Sequence, residues 1–372
     1  MAKKASPKAS SKSILKDSSL TFLRNYINNA SPVGFESWGQ KLWIEYLKPY
    51  IDTHYVDPYG TAVGVINPEH PFKIVIEAHA DEISWFVNYI TADGLIYLKR
   101  NGGVDHQTAP ASRVFIHGKK GPVKAVFGWP AIHTRIGTPD QKEAQPRTDN
   151  LWLDCGARNR KEVAALGIHI GAVVTYQDGY DELANGNLIG RAFDNRIGGF
   201  MIAEVARLIK ENKKKLPFGL YIVNAVQEEI GLRGAEMIAR RIKPNMAIVT
   251  DVTHDTSTPL INKNIEGDVQ CGKGPSLSYA PAVHNKLLGI VETVAESKKI
   301  PVQWRALSRS TGTDTDSFAY ANDGCPSVLI SIPLRYMHTT VEMLHKDDIE
   351  NTIKLMYETL LTLSPKTNLN YL

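Results

Sequence analysis

The chain has 372 residues, long enough for one large or two ordinary domains, and its 43% hydrophobic and 22% charged residues are typical of a globular protein. Its formal net charge of +4 does not indicate a nucleic-acid partner, and no run reaches the ~20 apolar residues that span a membrane. The three cysteines are scattered, which argues against a disulfide framework or a cysteine-based zinc site and favours a reducing, cytoplasmic location.

Residues 1–17 form a basic segment in which Ser, Ala and Lys predominate, and its one acid is the last residue, Asp17. This composition predicts a disordered tail. The segment lacks the apolar core of a secretory signal peptide and contains no arginine, so a transit peptide is also a poor fit. We therefore expect a flexible, solvated end.

The first half of the remaining chain predicts two helices, then two strands, then a β-rich insert. Segments 19–30 and 36–50 have the apolar spacing of amphipathic helices. Segments 61–66 and 73–81 predict strands, and the second has the nearly continuous apolar run of a strand buried on both faces. From residue 84 to 185, short strand patterns alternate with turn residues, which predicts a small inserted β-rich domain.

After residue 186, helix and strand patterns alternate as far as the C-terminus. Such alternation predicts an α/β fold with a mixed, mainly parallel sheet covered by helices on both faces. We expect one α/β domain from residues 18–83 and 186–372, with residues 84–185 inserted. The predicted elements of the second half are a helix at 194–212, a strand at 219–226, a helix at 233–242, a strand at 246–252, a helix at 285–299, a strand at 327–333 and a helix at 346–363.

Acidic and histidine side chains stand where the predicted strands end. In open α/β sheets, the carboxyl ends of the strands form the ligand-binding edge. Each such residue taken alone is explained by a helix cap, a turn or a solvated loop. Together they predict a site that needs cations, because gathered carboxylates raise one another's pKa. The set at or shortly after the ends of four predicted strands is His79, Asp81, Glu228, Glu229, Asp251 and His338. Asp194, just before a predicted helix, can join them from a loop.

Two imidazoles with several carboxylates fit zinc, cobalt or manganese better than calcium, which takes only oxygen ligands. Five ligand side chains can supply three to each of two divalent ions if one carboxylate bridges. In an extended chain, Asp81 shares a face with His79 and can accept a hydrogen bond from its ring. Adjacent residues point to opposite sides, so we expect Glu229 to bind metal and Glu228 to stay free as general base for the hydrolytic water.

Seven motifs resemble those of the tetrahedral (TET) metallo-aminopeptidases, a group that includes glutamyl aminopeptidases and proteins labelled cellulase M. The motifs are AHADEI, GRAFDNRIGG, VQEEIGLRGA, TDVTHD, GKGP, STGTDTDSF and PLRYMHTTVEMLHKDD. The resemblance extends from about residue 30 to the final helix. It implies one metal on His79 and Asp251 and a second on Glu229 and His338, with Asp194 as the bridge.

The same resemblance implies Glu228 as the general base and Asp81 as the carboxylate behind the first histidine. It also implies that the insert is a β-barrel-like dimerisation domain. Members of this group form hollow homo-oligomers, dodecamers built from dimers, whose inward-facing sites take short peptides.

Two rival functions remain open on the sequence. An endoglucanase-type glycoside hydrolase needs two carboxylates flanking a sugar bond and no metal, whereas these acids come with two histidines. A non-catalytic assembly or chaperone-like shell would have no need of Glu228. We favour the aminopeptidase, because the combined acids and histidines suit a metal centre.

Overall fold

The structure is a computed structural model that describes residues 13–135 and 145–372. Most of the predicted basic tail, residues 1–12, therefore lies outside the described residues. Residues 13–16 contact the fold: the Ser13 hydroxyl donates to Glu350 at 2.6 Å, and the Arg207 guanidinium donates to the Ile14 carbonyl at 2.8 Å. Among the helices of the described ranges, none is long and apolar enough to cross a membrane.

The described residues form seventeen strands and ten α-helices. The strands are β1 (Thr53–Val56), β2 (Ala62–Ile66), β3 (Lys73–His79), β4 (Ser84–Ile90), β5 (Ile96–Asn101), β6 (Arg113–Gly118), β7 (Gly121–Gly128), β8 (Trp152–Asp154), β9 (Val173–Tyr176), β10 (Asp181–Glu182), β11 (Asn187–Gly190), β12 (Gly219–Ala225), β13 (Met246–His254), β14 (Ser276–Tyr279), β15 (Gln303–Ala306), β16 (Ser327–Leu334) and β17 (Glu342–His345). The helices are α1 (Asp17–Asn28), α2 (Ser37–Leu47), α3 (Ile132–Arg135), α4 (Arg160–Ala165), α5 (Phe193–Glu211), α6 (Arg233–Ile242), α7 (Lys263–Glu266), α8 (Asn285–Lys298), α9 (Thr315–Ala319) and α10 (Lys346–Thr362).

An eight-stranded mixed sheet, in the order β1-β2-β12-β3-β13-β16-β14-β15, forms the centre of the α/β unit. Strands β12, β3, β13 and β16 are parallel, and β1 and β2 pair antiparallel with their neighbours. Strand β14 pairs antiparallel with β16 and parallel with β15. One group of helices (α2, α5, α8 and α10) and a second group (α6 and α9) pack against this sheet, and α1 packs on α5 and α2. The predicted α/β class, with a mixed and mainly parallel sheet, is confirmed.

Strands β4 to β9 close into an antiparallel barrel in the order β4-β5-β8-β7-β6-β9. The barrel has its own hydrophobic cluster, in which the rings of Trp85 and Phe127 lie 5.4 Å apart. After β9 the chain enters a separate three-stranded sheet, where β11 pairs with both β10 and β17. All six barrel strands lie within the predicted insert, although its limits at residues 84 and 185 stay a prediction.

Candidate metal centre

A cavity of about 630 Å³ opens at the carboxyl ends of strands β3, β12 and β13. Six of the seven predicted site residues line it, and Asp81 lies fully buried behind them. Residues far apart in the chain therefore meet at one edge of the sheet. Those lining the cavity are His79, Asp194, Glu228, Glu229, Asp251 and His338.

Asp194 lies between the two histidines, in the irregular first turn of α5. Its Oδ1 is 3.2 Å from Nε2 of His79, and its Oδ2 is 3.3 Å from Nε2 of His338. Nε2 of His79 is also 3.7 Å from Oδ1 of Asp251, and Nε2 of His338 is 3.2 Å from Oε1 of Glu229. The ligand atoms form two groups of three that share Asp194, with all atoms of a group within 4.8 Å of one another.

These atoms fit divalent cations in chemistry as well as position. Carboxylate oxygens and imidazole nitrogens are the donors that zinc, cobalt and manganese accept. Oε1 of Glu229 is buried without a hydrogen-bond partner among the described residues, which is costly unless a cation satisfies it. The donor set therefore fits two adjacent ions.

The electrostatics of the cavity also indicate a cluster that takes up protons where cations are not bound. Burial raises the pKa of Asp251 to about 7 and that of Glu228 to about 10. Burial by itself lowers the pKa of His338. The hydrogen bonds and negative charges of Asp194 and Glu229 have the larger combined effect and raise this pKa to about 12. Without cations, the cluster would hold protons instead, and bound cations would displace them.

Asp81 holds the turn that carries the two adjacent glutamates. Its Oδ1 accepts the backbone N–H of Glu228 at 3.0 Å, and its Oδ2 accepts that of Glu229 at 3.1 Å. Oδ1 also lies 3.5 Å from Nδ1 of His79, which has no hydrogen-bond partner among the described residues. The sequence predicted a hydrogen bond between Asp81 and the His79 ring, and it did not predict the two backbone hydrogen bonds.

The sequence analysis expected Glu228 and Glu229 to point to opposite sides because they are adjacent in an extended strand, and that reason is wrong. Strand β12 ends at Ala225, Gln227 is left-handed with φ of 59°, and residues 228–230 form a turn of 3-10 helix. Consecutive side chains there differ by about 120° rather than pointing to opposite sides. Both carboxylates consequently enter the same cavity, with Glu229 near His338 and Oε2 of Glu228 3.8 Å from Nε2 of His79.

A second buried carboxylate, Glu342 at the start of β17, holds two more of these residues. It accepts the backbone N–H of Asp194 at 3.0 Å and that of His338 at 2.9 Å. His338 itself has a left-handed backbone with φ of 62°, which is uncommon for a residue other than glycine. Glu342 therefore helps to hold a strained loop in the position that places His338 beside Asp194.

The inserted segment reaches this site through the loop between β5 and β6. Nδ1 of His338 lies 3.0 Å from the carbonyl oxygen of Gly103. A carbonyl only accepts, so Nδ1 carries a proton. When a cation replaces the proton on Nε2, the lone pair of Nε2 is then free to bind that cation beside Asp194 and Glu229. A Cβ on Gly103 would lie 2.9 Å from Nδ1, so this close approach requires glycine.

The sequence patterns did not predict Gly103, Glu342 or Arg305, which also lines the cavity. A glycine pair directly after a strand, in NGG, is the signal that could have indicated Gly103. Glu342 stands alone among apolar residues in VEML, which is the pattern of a buried acid. Arg305 is a half-buried residue between two exposed neighbours on a short edge strand and carries no comparable signal.

The fold, an α/β unit interrupted by a closed barrel, is shared with the solved structure of a TET aminopeptidase, and aminopeptidases are peptide hydrolases. A family profile described as M42 glutamyl aminopeptidase matches residues 60–355. The chain therefore belongs to the M42 glutamyl aminopeptidase family.

Known proteins of similar sequence and structure agree. Lysyl aminopeptidase of Pyrococcus furiosus is 31% identical over 92% of this chain and 97% of its own. The crystal structure of a TET aminopeptidase from a marine sediment archaeon, Thaumarchaeota archaeon SCGC AB-539-E09, has a TM-score of 0.89 at 30% identity, covering 94% of this chain and 98% of its own. The TET1 peptidase of Pyrococcus horikoshii, which can assemble into a tetrahedron or a large octahedral shell, has a TM-score of 0.80 at 24% identity, covering 91% and 98%.

Proposed function

We propose that the chain is a di-metal aminopeptidase that removes N-terminal residues from short peptides. The observation that carries this proposal is the sharing of Asp194 between two groups of three ligand atoms. His79 and Asp251 would hold one divalent ion, Glu229 and His338 the other, and Asp194 would bridge them. Zinc, cobalt or manganese fits these donors.

Bound divalent ions supply a water activated for attack and a polarised scissile carbonyl. Glu228 belongs to neither ligand group, and its Oε2 lies 3.8 Å from Nε2 of His79. Burial raises the pKa of Glu228, but adjacent cations favour its ionised form. Glu228 would then take the proton of the attacking water and return it to the leaving amine.

The remaining residues position these groups. Asp81 fixes the turn of Glu228 and Glu229 through their backbone N–H groups. Gly103 sets the tautomer of His338 through its carbonyl oxygen. We propose both as positioning residues, because each acts through hydrogen bonds to Glu228, Glu229 or His338 and supplies no atom to either ligand group.

The experiment that tests this function is an activity panel run before and after removal of metal. The protein is stripped with a chelator, reloaded separately with zinc, cobalt and manganese, and assayed on aminoacyl chromogenic substrates and on a soluble β-glucan. We expect aminoacyl hydrolysis that is lost on stripping and restored by reloading. Sugar release that survives the chelator would favour an endoglucanase, and no hydrolysis with any ion would favour a non-catalytic shell.

We further propose that the chain forms a homo-oligomer, a dodecamer built from dimers, in which the barrel supplies the dimer contact. The support is the similarity to aminopeptidases named for tetrahedral assembly. Light scattering coupled to size-exclusion chromatography should give the mass of twelve chains. A mass of one or two chains at micromolar concentration would contradict this part of the proposal.

A further inference from the structure

A second cavity, of about 480 Å³, lies where the barrel meets the α/β unit. None of the described residues lines both this cavity and that of the metal centre. Helix α2 supplies Trp38 to its wall, and barrel strand β6 supplies Phe115 and His117. The rings of Trp38 and His117 lie 4.9 Å apart. Part of the wall is therefore aromatic and is built from both units.

The same cavity contains a buried arginine whose hydrogen-bonding capacity is only partly used. Among the described residues that line it, Arg191 is the one Asp, Glu, Lys or Arg, and it is 6% exposed. Its Nη1 donates to Glu82, whereas its Nε is buried without a partner among the described residues. Its Nη2 has only a long contact of 3.4 Å with the Asn28 carbonyl oxygen. The edge formed by Nε and Nη2, which can bind a carboxylate through two parallel hydrogen bonds, therefore lacks a strong acceptor.

The buried charges beside this cavity do not balance. Glu82 pairs with Arg191 and also lies 3.7 Å from Arg196, so two buried guanidinium groups share one carboxylate. Burial lowers the pKa of Arg196, and the charge of Arg191 lowers it further. Burial also lowers the pKa of His117, which is therefore neutral at neutral pH and adds no charge. The cluster of Glu82, Arg191 and Arg196 thus lacks one negative charge, which is costly in a buried position.

The ligand that best fits these features is a monoanion with a flat apolar ring. One carboxylate would supply the missing charge and accept from the free edge of Arg191, while its ring would pack on the aromatic wall. A phosphate monoester carries a charge near −2 and would leave a buried negative charge without a partner. An amino acid fits poorly, because its ammonium group would find no acid among the described residues that line the cavity.

We propose that this cavity is a binding site for an aromatic monocarboxylate that carries no positive charge. Arg191 holds the carboxylate, and the rings of Trp38, Phe115 and His117 contact the ring of the ligand. The site is separate from the metal centre and does not depend on the proposed peptidase chemistry. An occupant contacts both α2 and the barrel, so its binding should stabilise the contact between the two units.

The test uses benzoate as the probe, with benzamide as its neutral analogue and phenyl phosphate as its dianionic analogue. Titration calorimetry on the metal-loaded protein should find one benzoate site per chain. We expect benzoate to bind at least about 10-fold more tightly than benzamide, because only benzoate makes charge-assisted hydrogen bonds, and also more tightly than phenyl phosphate. Arg191→Gln should weaken benzoate binding about 10- to 100-fold, and Arg191→Lys should recover only part of it, since lysine keeps the charge but not the fork. Arg305→Gln, which removes an arginine from the metal-centre cavity, is the matched control and should leave benzoate binding unchanged.

Several results would overturn the inference. Equal affinity for benzoate and benzamide, tighter binding of phenyl phosphate, or unchanged benzoate affinity in Arg191→Gln would each do so. Loss of binding in Arg305→Gln or after removal of metal would place benzoate in the metal-centre cavity and would also overturn it. If Arg191→Gln does not fold, Phe115→Ala leaves the buried charges in place and should weaken benzoate binding about 3- to 10-fold through the lost ring contact. Unchanged binding by Phe115→Ala would then contradict the proposed site.

Discussion

The carbonyl oxygen of Gly103 accepts a hydrogen bond from Nδ1 of His338 at 3.0 Å, across 235 residues of sequence. Gly103 belongs to the segment between β5 and β6, whereas His338 follows the carboxyl end of β16, an interior strand of the large sheet. The inserted segment therefore contributes to the proposed metal centre directly. A change in that loop should alter metal binding even if the fold and the assembly stay intact.

Replacing Gly103 with alanine should weaken one metal position selectively. The new Cβ would lie 2.8 Å from Cε1 of His338, and the backbone of Gly103 is not left-handed, so the strain falls on the histidine ring. We expect metal analysis to find one ion per chain instead of two under limiting metal, and kcat/KM to fall about 10- to 100-fold. Gly289→Ala in helix α8 is the control, because its Cβ would meet nothing closer than 3.9 Å. Two ions bound to Gly103→Ala with wild-type affinity would contradict the role of this loop.

Glu228→Gln should separate chemistry from metal binding. The amide keeps the size of the side chain but cannot take a proton, so we expect kcat to fall about 10²- to 10⁴-fold with both ions retained. Stopped assays measure the fall in kcat, and metal analysis of the same sample measures the number of ions retained. Glu236→Gln on helix α6 makes the same change at a solvent-accessible ion pair and should keep wild-type activity. Wild-type turnover by Glu228→Gln would remove it from the mechanism.

Asp81→Asn should loosen the turn that carries Glu228 and Glu229. The amide nitrogen would face a backbone N–H in place of a carboxylate oxygen, so one of two buried hydrogen bonds is lost. We expect the free energy of unfolding to fall by about 1–3 kcal/mol and kcat/KM to fall as well. Denaturant titration of the metal-free protein measures the first, and steady-state kinetics the second. Unchanged values of both would show that the turn holds without Asp81.

Metal affinity should rise with pH between 6 and 8. Burial raises the pKa of Asp251 to about 7, so this ligand is largely protonated at pH 6 in the metal-free protein and largely ionised at pH 8. An ion that binds at pH 6 must therefore displace a proton that is already absent at pH 8. Titration calorimetry in two buffers of different ionisation enthalpy should find more protons released at pH 6 than at pH 8. Equal proton release at both values would contradict the raised pKa of Asp251.

The parts of the site that follow central strands were predictable from the sequence. Strands β3 and β13 contain nearly continuous apolar runs, so the positions of His79 at the end of β3 and of Asp251 directly after the run in β13 follow from a local pattern. By contrast, β14, β15 and β17 were missed, because each is four residues long and the first two join an edge of the sheet. Short strands of this kind depend on partners elsewhere in the chain for their structure.

The precise orientation of the glutamates was not predictable for a similar reason. It depends on the left-handed Gln227 and on Asp81, which lies 147 residues before Glu228. The carbonyl of Gly103 and the carboxylate of Glu342 likewise act on residues far away in the sequence or around a tight loop. Hydrophobic periodicity contains no information about such contacts, since it reports only which face of an element is buried.

The central claim is that Asp194 bridges two divalent ions, and anomalous diffraction from zinc-loaded crystals tests it most directly. The account predicts two anomalous peaks per chain about 3.5–4 Å apart. It also predicts an Asp194 oxygen about 2.0–2.2 Å from each peak, with His79 and Asp251 on one ion and Glu229 and His338 on the other. A single peak at saturating zinc, or two peaks that do not both contact Asp194, would contradict it.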